Sequence, residues 1–389
     1  MAAAASGEHA LSLRLGMVAG EASGDVLAGL LLQGLRDSGW VLQAQGVGGA
    51  HMQAQGLEAW VSSDALAVRG YVEVLRHYRR LLRLRDDLTQ RWLNQPPDVF
   101  VGVDAPDFNL VLAKRLREAG VKTMHFVCPS IWAWRAERVH QIKQAVDHVL
   151  CLFPFEPELL RAQGIAASYV GHPLASVIEP QADPRAARLG LGLAPDVCTI
   201  ALLPGSRAAE IEHLLPRFLQ AAEQLQSALG RVQFVLPAVP ALRALIDAKV
   251  APYLPSLSLH VVQGRSHAAM AAADVVLVAS GTATLEVALS QRPMVIAYHM
   301  SPVSWWLHQR KRLQAWVGLP NILAGEFLVP ELLQTQATPT ALARAVLEWL
   351  DAPARVEATQ ARFAQLREQL QRPTGALAAQ ALAEVVYGD

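Results

Sequence analysis

The chain has 389 residues, 52% of them hydrophobic and 17% charged, and its 34 basic and 34 acidic residues cancel to a formal net charge of zero. That length suits two domains of roughly 150 residues or more, with cores that need no disulfide or metal staple, and the composition excludes long disorder. The charge balance excludes a nucleic-acid protein driven by bulk charge, and the three cysteines (Cys128, Cys151, Cys198), without CxxC spacing, fit a reduced compartment and no zinc site.

Met1–Ala10 is alanine-rich but has no basic start and no long apolar core, so residues 1–12 read as a loose tail rather than a signal peptide. Leu13–Ala19 is an apolar strand, and Asp25–Arg36 carries helical spacing. Asp98–Val103 is a strand with a helix from about Asp107, and Val121–Val127 and His148–Leu152 repeat the pattern. After Gly171-His172-Pro173 it restarts, with strands at Thr199–Leu203, Val232–Leu236, Leu257–Val262, Val275–Ala279 and Met294–Ala297. Helices follow at Ala341–Leu350, Pro353–Gln371 and Ala376–Tyr387, where Pro353 suits a first helical turn. No apolar run reaches the roughly 18 residues of a spanning helix, so the expected location is the cytoplasm.

Strand–helix alternation of this kind predicts parallel sheets covered on both faces, an α/β fold. One sheet of about ten strands would be large, and two doubly wound domains fit the length better. The expected division is 13–172, then 173–350, then terminal helices over 351–389 that return to the first domain.

Open parallel sheets bind ligands at the carboxyl ends of their strands, so the turns there are the places to look. Gly20-Glu21-Ala22-Ser23-Gly24-Asp25 is neither a Walker loop nor a GxGxxG fingerprint. Its glycines and helix start suit an anion; a tight turn capped by Ser23 or Asp25 suits it as well. In Val103–Asn109, Pro106 should keep Ala105 extended and leave Asp104 on the turn as a general base, with Asp107 capping the helix. Two acids that only cap and pair fit equally. Leu203-Pro204-Gly205-Ser206-Arg207 offers a hydroxyl and a guanidinium to phosphate, against an N-cap serine with a solvated arginine. Ser280, Gly281 and Thr282 open a helix where backbone N–H groups would hold a pyrophosphate, and Glu286 could accept from a ribose. The alternative there is a capping-box-like start with an incidental acid. Two such turns in one domain favour a ligand.

There is no Asp-X-Asp, and His172, His267 and His299 are scattered and read as satisfied histidines, so neither metal nor cofactor is expected. Leu66–Trp92 interleaves apolar residues, among them Val68, Val72, Leu75 and Leu82, with seven arginines against three acids. It reads as an interfacial membrane segment or as a core helix with a solvated basic face. Ser304–Trp316 allows the same two readings.

Taken together the motifs resemble one family, the lipid-A-disaccharide synthases, glycosyltransferases of the GT-B fold. The matching pieces are VAGEASGD (18–25), VGVDAPDFN (101–109), CPSIWAWR (128–135), GHPL (171–174), LPGSR (203–207), ASGTATLE (279–286) and LPNILAG (319–325). They run in order from about residue 13 to the C-terminus. The third piece usually reads SPSVWAWR; Cys128 and Ile131 depart from it without removing an obvious catalytic group.

The resemblance implies two Rossmann-like domains facing across a cleft. It implies transfer of a sugar from UDP-2,3-diacylglucosamine to 2,3-diacylglucosamine 1-phosphate (lipid X), giving a β(1→6) lipid A disaccharide 1-phosphate and UDP. Transfer is inverting and needs a base on the acceptor 6-hydroxyl, for which the matching residue is Asp104. The donor site maps to Ser206, Arg207, Ser280, Gly281, Thr282, Glu286 and Asn321. Gly20, Glu21, Ser23 and Gly24 lie on the acceptor side. The resemblance also implies peripheral action on the cytoplasmic side of the inner membrane, with Val68, Val72, Leu75 and Leu82 against lipid, and is compatible with an oligomer. The rivals are a UDP-sugar 2-epimerase, which needs no second sugar, and a non-catalytic nucleotide-sugar or lipid binder, which does not need Asp104. A serine hydrolase lacks its G-x-S-x-G turn.

Overall fold

In the computed structural model, residues 12–66, 71–133, 136–300, 305 and 313–388 are described, with backbone alone at 64 and 71–78. The apolar runs of the first half become β1 (Ser12–Ala19), β4 (Val99–Val103), β5 (Lys122–Phe126) and β6 (His148–Cys151). They are joined by β2 (Val41–Gly48), β3 (Leu57–Ser62) and β7 (Ala166–Tyr169) in one parallel sheet of order β3-β2-β1-β4-β5-β6-β7. All five residues of β4 are buried, as expected of a central parallel strand covered on both faces. Alternate residues of the central strands serve opposite faces. Leu13, Leu15 and Met17 pack with Leu27, Leu31, Leu35 and Leu382; Val18 and Phe100 pack with Leu88, Trp92, Leu112 and Ile142.

The second half repeats the plan. β8 (Cys198–Leu203), β9 (Val232–Ala238), β10 (Leu259–Gln263), β11 (Val275–Ala279), β12 (Met294–Tyr298) and β13 (Glu331–Leu333) form a parallel sheet of order β10-β9-β8-β11-β12-β13. Its core holds Phe218, Phe234, Trp349 and Phe363, and the Trp349 indole N–H donates to the Met294 carbonyl at 3.0 Å. Each half is therefore Rossmann-like, with strand order reversing between β1 and β4 in one and between β8 and β11 in the other. Those reversals are the switch points at which such sheets bind ligands. The register Ala19↔Val103 brings the carboxyl ends of β1 and β4 level, and Val278↔Leu203 does the same for β11 and β8.

By contacts the chain divides into Met1–Pro173 with Leu370–Asp389, and Leu174–Gln369. The return to the first unit thus starts at Leu370 rather than 351. The helix Pro353–Leu370 contributes Phe363 and Leu366 to the second core, while Thr374–Tyr387 packs along Ala22–Asp37. Gly34 and Gly375 let these last two helices touch backbone to backbone.

The basic segment forms the helix Tyr71–Asn94. Its second half is core: Leu88 and Trp92 are buried, and the Trp92 ring meets Trp60 and Phe100. Arg79, Arg80 and Arg83 are exposed and Leu82 is half-buried. Val68, and the side chains of Val72 and Leu75, lie outside the described residues, as does most of Ser304–Trp316. Among the described residues no helix is long and apolar enough to cross a membrane.

Candidate active site

At the first switch point β1 runs into the helix Ala22–Asp37, whose N-cap is Glu21 in extended conformation. Ser23 and Asp25 fall inside the first turn, so neither caps it, contrary to the expectation. The buried Asp25 carboxylate instead accepts from the backbone N–H groups of Gly49, His51 and Met52 at 2.7, 2.9 and 3.2 Å. It thereby anchors the chain that follows β2. Glu21 and Ser23 are exposed and Gly24 is buried near the Val103 carbonyl. Gly20 has a steric reason: a Cβ there would lie 2.5 Å from the Cβ of Ala105, so only glycine lets the turns after β1 and β4 meet.

The turn after β4 corrects a second expectation. Ala105 is left-handed (φ 41°, ψ 55°), not extended, and Asp104 before it is left-handed too (φ 53°). Two such residues with side chains cost about 1–3 kcal/mol each and persist only where their surroundings enforce them. The helix Pro106–Glu118 then starts with Ala105 as N-cap; Asp107 lies inside the helix and its carboxylate pairs with Arg138. Asp104 is half-buried, and its N–H donates to the Phe126 carbonyl at 2.9 Å. Burial raises its pKa above the ordinary carboxylate range, the Glu21 charge adds to this, and the hydrogen bond from the Ala105 N–H opposes it. A carboxylate so shifted is a better proton acceptor near neutral pH.

At the second switch point a pocket of about 360 Å³ is lined by Ser206, Arg207, Ser280, Gly281, Thr282 and Glu286, together with Gly205, Glu210 and Ser266. Arg207, rather than Ser206, caps the long helix Ala208–Leu229. Glu210 closes the turn: one oxygen accepts from the N–H groups of Ser206 and Arg207 (2.9 and 3.2 Å), the other from the Arg207 guanidinium (2.9 Å). The Arg207 side chain is 78% exposed, so most of its donor edge faces solvent. Gly281 caps Thr282–Leu289, whose first-turn N–H groups point their positive end at the pocket. The Ser280 hydroxyl donates to the Val317 carbonyl at 3.0 Å, which spends its proton on the fold.

One turn on, Glu286 meets His267 Nε2 at 3.0 Å, and that hydrogen bond raises the His267 pKa. By sequence alone His267 reads as a satisfied histidine. It is satisfied, but by a pocket residue, and no spacing rule links positions 267 and 286. Asn321 is held by the fold. It is fully buried and absent from the pocket lining; its Nδ2 donates to the Val329 carbonyl and to Glu331 (2.9 and 2.8 Å), and its Oδ1 accepts from the Leu328 and Val329 N–H groups (2.9 Å each). Its amide orders the segment before β13.

One cluster escaped the spacing argument altogether. Cys128, Cys151 and Glu156 are buried with donor atoms within 4.8 Å of one another, the one such set among the described residues. Burial pushes the Glu156 carboxyl up to about 7. Its two oxygens already accept from the Trp132 indole N–H (2.9 Å) and the Phe153 N–H (3.0 Å), so it ties the Cys128–Trp132 turn to the end of β6.

Comparison with known proteins adds a family. The model described as lipid-A-disaccharide synthetase matches residues 15–386. The lipid-A-disaccharide synthase of Albidiferax ferrireducens is 54% identical over 381 residues, covering 97% of this chain and 98% of that protein. The enzyme of the same name from Bordetella petrii is 50% identical over 392 residues, covering 97% and 100%. Among solved structures, UDP-GlcNAc 2-epimerase from Neisseria meningitidis bound to UDP-GlcNAc superposes with a TM-score of 0.63 at 10% identity, covering 97% of this chain and all of that one. MurG from Acinetobacter baumannii gives 0.57 at 14% identity, with 97% and 100% covered. At such identities these two share the fold alone.

Proposed function

This chain belongs to the lipid-A-disaccharide synthase family, and from that premise we propose how its two switch points divide the reaction. The enzyme is a glycosyltransferase that joins UDP-2,3-diacylglucosamine to 2,3-diacylglucosamine 1-phosphate and releases UDP. The pocket of the second unit takes the donor nucleotide. Its pyrophosphate lies on the N-terminus of Thr282–Leu289, where the helix dipole and N–H groups favour an anion, and Arg207 turns its unused guanidinium edge to the same oxygens. Glu286 accepts from the ribose hydroxyls. As the sugar–phosphate bond breaks, these fixed groups stabilise the charge that develops on UDP.

Asp104 is the base. It takes the proton of the acceptor 6-hydroxyl while that oxygen attacks the anomeric carbon, and UDP departs from the opposite face with the bonding electron pair, so the configuration inverts. The observation that carries this reading is the placement of Asp104: a half-buried carboxylate at the switch point, beside Glu21, with a raised pKa. Asp107 is a weaker candidate because Arg138 holds it.

Both substrates carry acyl chains, and moving a CH₂ group out of lipid costs about 0.8 kcal/mol. Arg79 and Arg80 are exposed on the first half of Tyr71–Asn94 and Arg83 just beyond it, and cations near an anionic surface contribute about 1 kcal/mol each. That half, with the residues before it, is our proposed contact with the cytoplasmic face of the inner membrane.

The test is UDP release from UDP-diacylglucosamine with and without lipid X. Release should need both sugars, whereas an epimerase needs no second one. Asp104→Asn should lower turnover by about 10²-fold or more while UDP affinity stays unchanged. Wild-type turnover in that variant would remove Asp104 from the role.

A further inference from the structure

We propose that Asn109 is a positioning residue for the base: its carboxamide holds the left-handed turn that aims the Asp104 carboxylate. This rests on the reading of Asp104 as the base. At the first switch point β1 and β4 end side by side, and the chain leaving each turns away to a different helix. Buried carbonyls there need hydrogen-bond partners. Asn109, fully buried in the first turns of Pro106–Glu118, supplies them. Its Nδ2 donates to the Asp104 carbonyl at 2.8 Å and lies 3.3 Å from the carbonyls of Val18 and Val103. A primary amide has two hydrogens, so one serves Asp104 and the strand-end carbonyls share the other. The Asn109 backbone N–H donates to the Ala105 carbonyl at 3.0 Å. One residue thus grips the carbonyls of both left-handed residues.

The residue type follows. Aspartate would set acceptors against three acceptors, and alanine would leave carbonyls unmet. The strand beneath is shaped to fit, since a Cβ on Gly102 would lie 2.8 Å from the Asn109 Cβ. Among the described residues the charges around Asp104 are few: Glu21 approaches from the turn after β1, Asp107 on the following helix is paired with Arg138, and His125 on β5, buried beyond Gly102, is neutral with its pKa near 3. Freed of Asn109, the Asp104 peptide can rotate and its carboxylate move toward water.

The experiment compares the full-length wild type with Asp104→Asn, Asn109→Ala and Gly102→Ala in steady-state UDP release over pH, with thermal melts alongside. Asn109→Ala should lower kcat by about 10²-fold, the scale of a 1 Å misplacement, and leave KM for UDP-diacylglucosamine unchanged. The acidic limb of its kcat/KM profile should move to lower pH, because a solvated carboxylate titrates lower; a role in packing alone would not move that limb. Gly102→Ala, which displaces Asn109 without removing the amide, should shift the limb the same way with a smaller rate loss, and it carries the test if Asn109→Ala does not fold. Wild-type kcat in folded Asn109→Ala, or a rate loss with an unmoved limb in either variant, overturns the proposal. If Asp104→Asn is inactive in that case, only the positioning role fails; if Asp104→Asn turns over normally, the base assignment fails first.

Discussion

Replacing Gly20 by alanine probes whether the meeting of two turns sets the rate. The added Cβ would lie 2.5 Å from the Ala105 Cβ, whereas carbon atoms in contact sit about 3.5–4.0 Å apart, so the turns must part by about 1 Å or more. Ala105 cannot yield by a rotamer change, because its Cβ is fixed to a left-handed backbone. The displacement passes to Asp104, its neighbour. Overpacking of this size costs about 1–3 kcal/mol, and a catalytic group moved by about 1 Å loses on the order of 10²-fold in rate. The assay is UDP release at saturating donor and acceptor, with a thermal melt and calorimetric UDP titration on the same protein. We expect kcat to fall by one to two orders of magnitude, the melt to drop by a few degrees, and UDP affinity to hold. Gly190→Ala, whose new Cβ finds its nearest atom at 3.8 Å, is the control for a glycine replacement as such. A folded Gly20→Ala enzyme with wild-type kcat would refute the argument that this contact places Asp104.

Arg207→Ala should weaken UDP by about 1.5–3 kcal/mol, the worth of a hydrogen bond to a charged group, and unchanged affinity by calorimetry would move the nucleotide elsewhere. The Glu286 bond raises the His267 pKa, so the pair contributes stability below the ordinary histidine value near 6.5 and loses it as pH rises through the raised one. In Glu286→Gln the His267 titration followed by NMR should fall back, and the stability gap to wild type should close at high pH; a gap independent of pH would deny the pairing. Replacing Val68, Leu75 and Leu82 together by serine should reduce cosedimentation with anionic vesicles and leave UDP affinity unchanged; equal binding by variant and wild type would return the segment to ordinary core.

The parts legible in the sequence were those where one strand or turn carries its own signal. The central strands β1, β4, β8 and β11 are apolar throughout or nearly so, and the turns after them hold the glycines, hydroxyls and acids that drew attention. The strands that escaped, β2, β3, β7 and β13, lie at or next to sheet edges, where polar residues interrupt the apolar run. At two turns the cap differs from the expected one for the same reason. Asp25 and Asp107 are good caps by type, yet their carboxylates have partners 24 and 31 positions away. Asn321 shows the same limit: its four hydrogen bonds, to Leu328, Val329 and Glu331, leave no mark in the motif that carries it.

The packing of Thr374–Tyr387 along Ala22–Asp37 has a consequence for synthesis. The ribosome makes the apolar face of the earlier helix, Leu27, Leu31 and Leu35, more than 300 residues before the Leu382 that helps cover it. The second unit lies wholly between those two points, so it can complete its core while the first still shows bare side chains to the cytosol. The nascent chain therefore carries an adhesive surface for most of its translation time, about 20–70 s at ordinary elongation rates. Holdase chaperones that bind exposed apolar helices should engage it in that window and let go once the last helix docks, and stalling translation near residue 370 should prolong their hold.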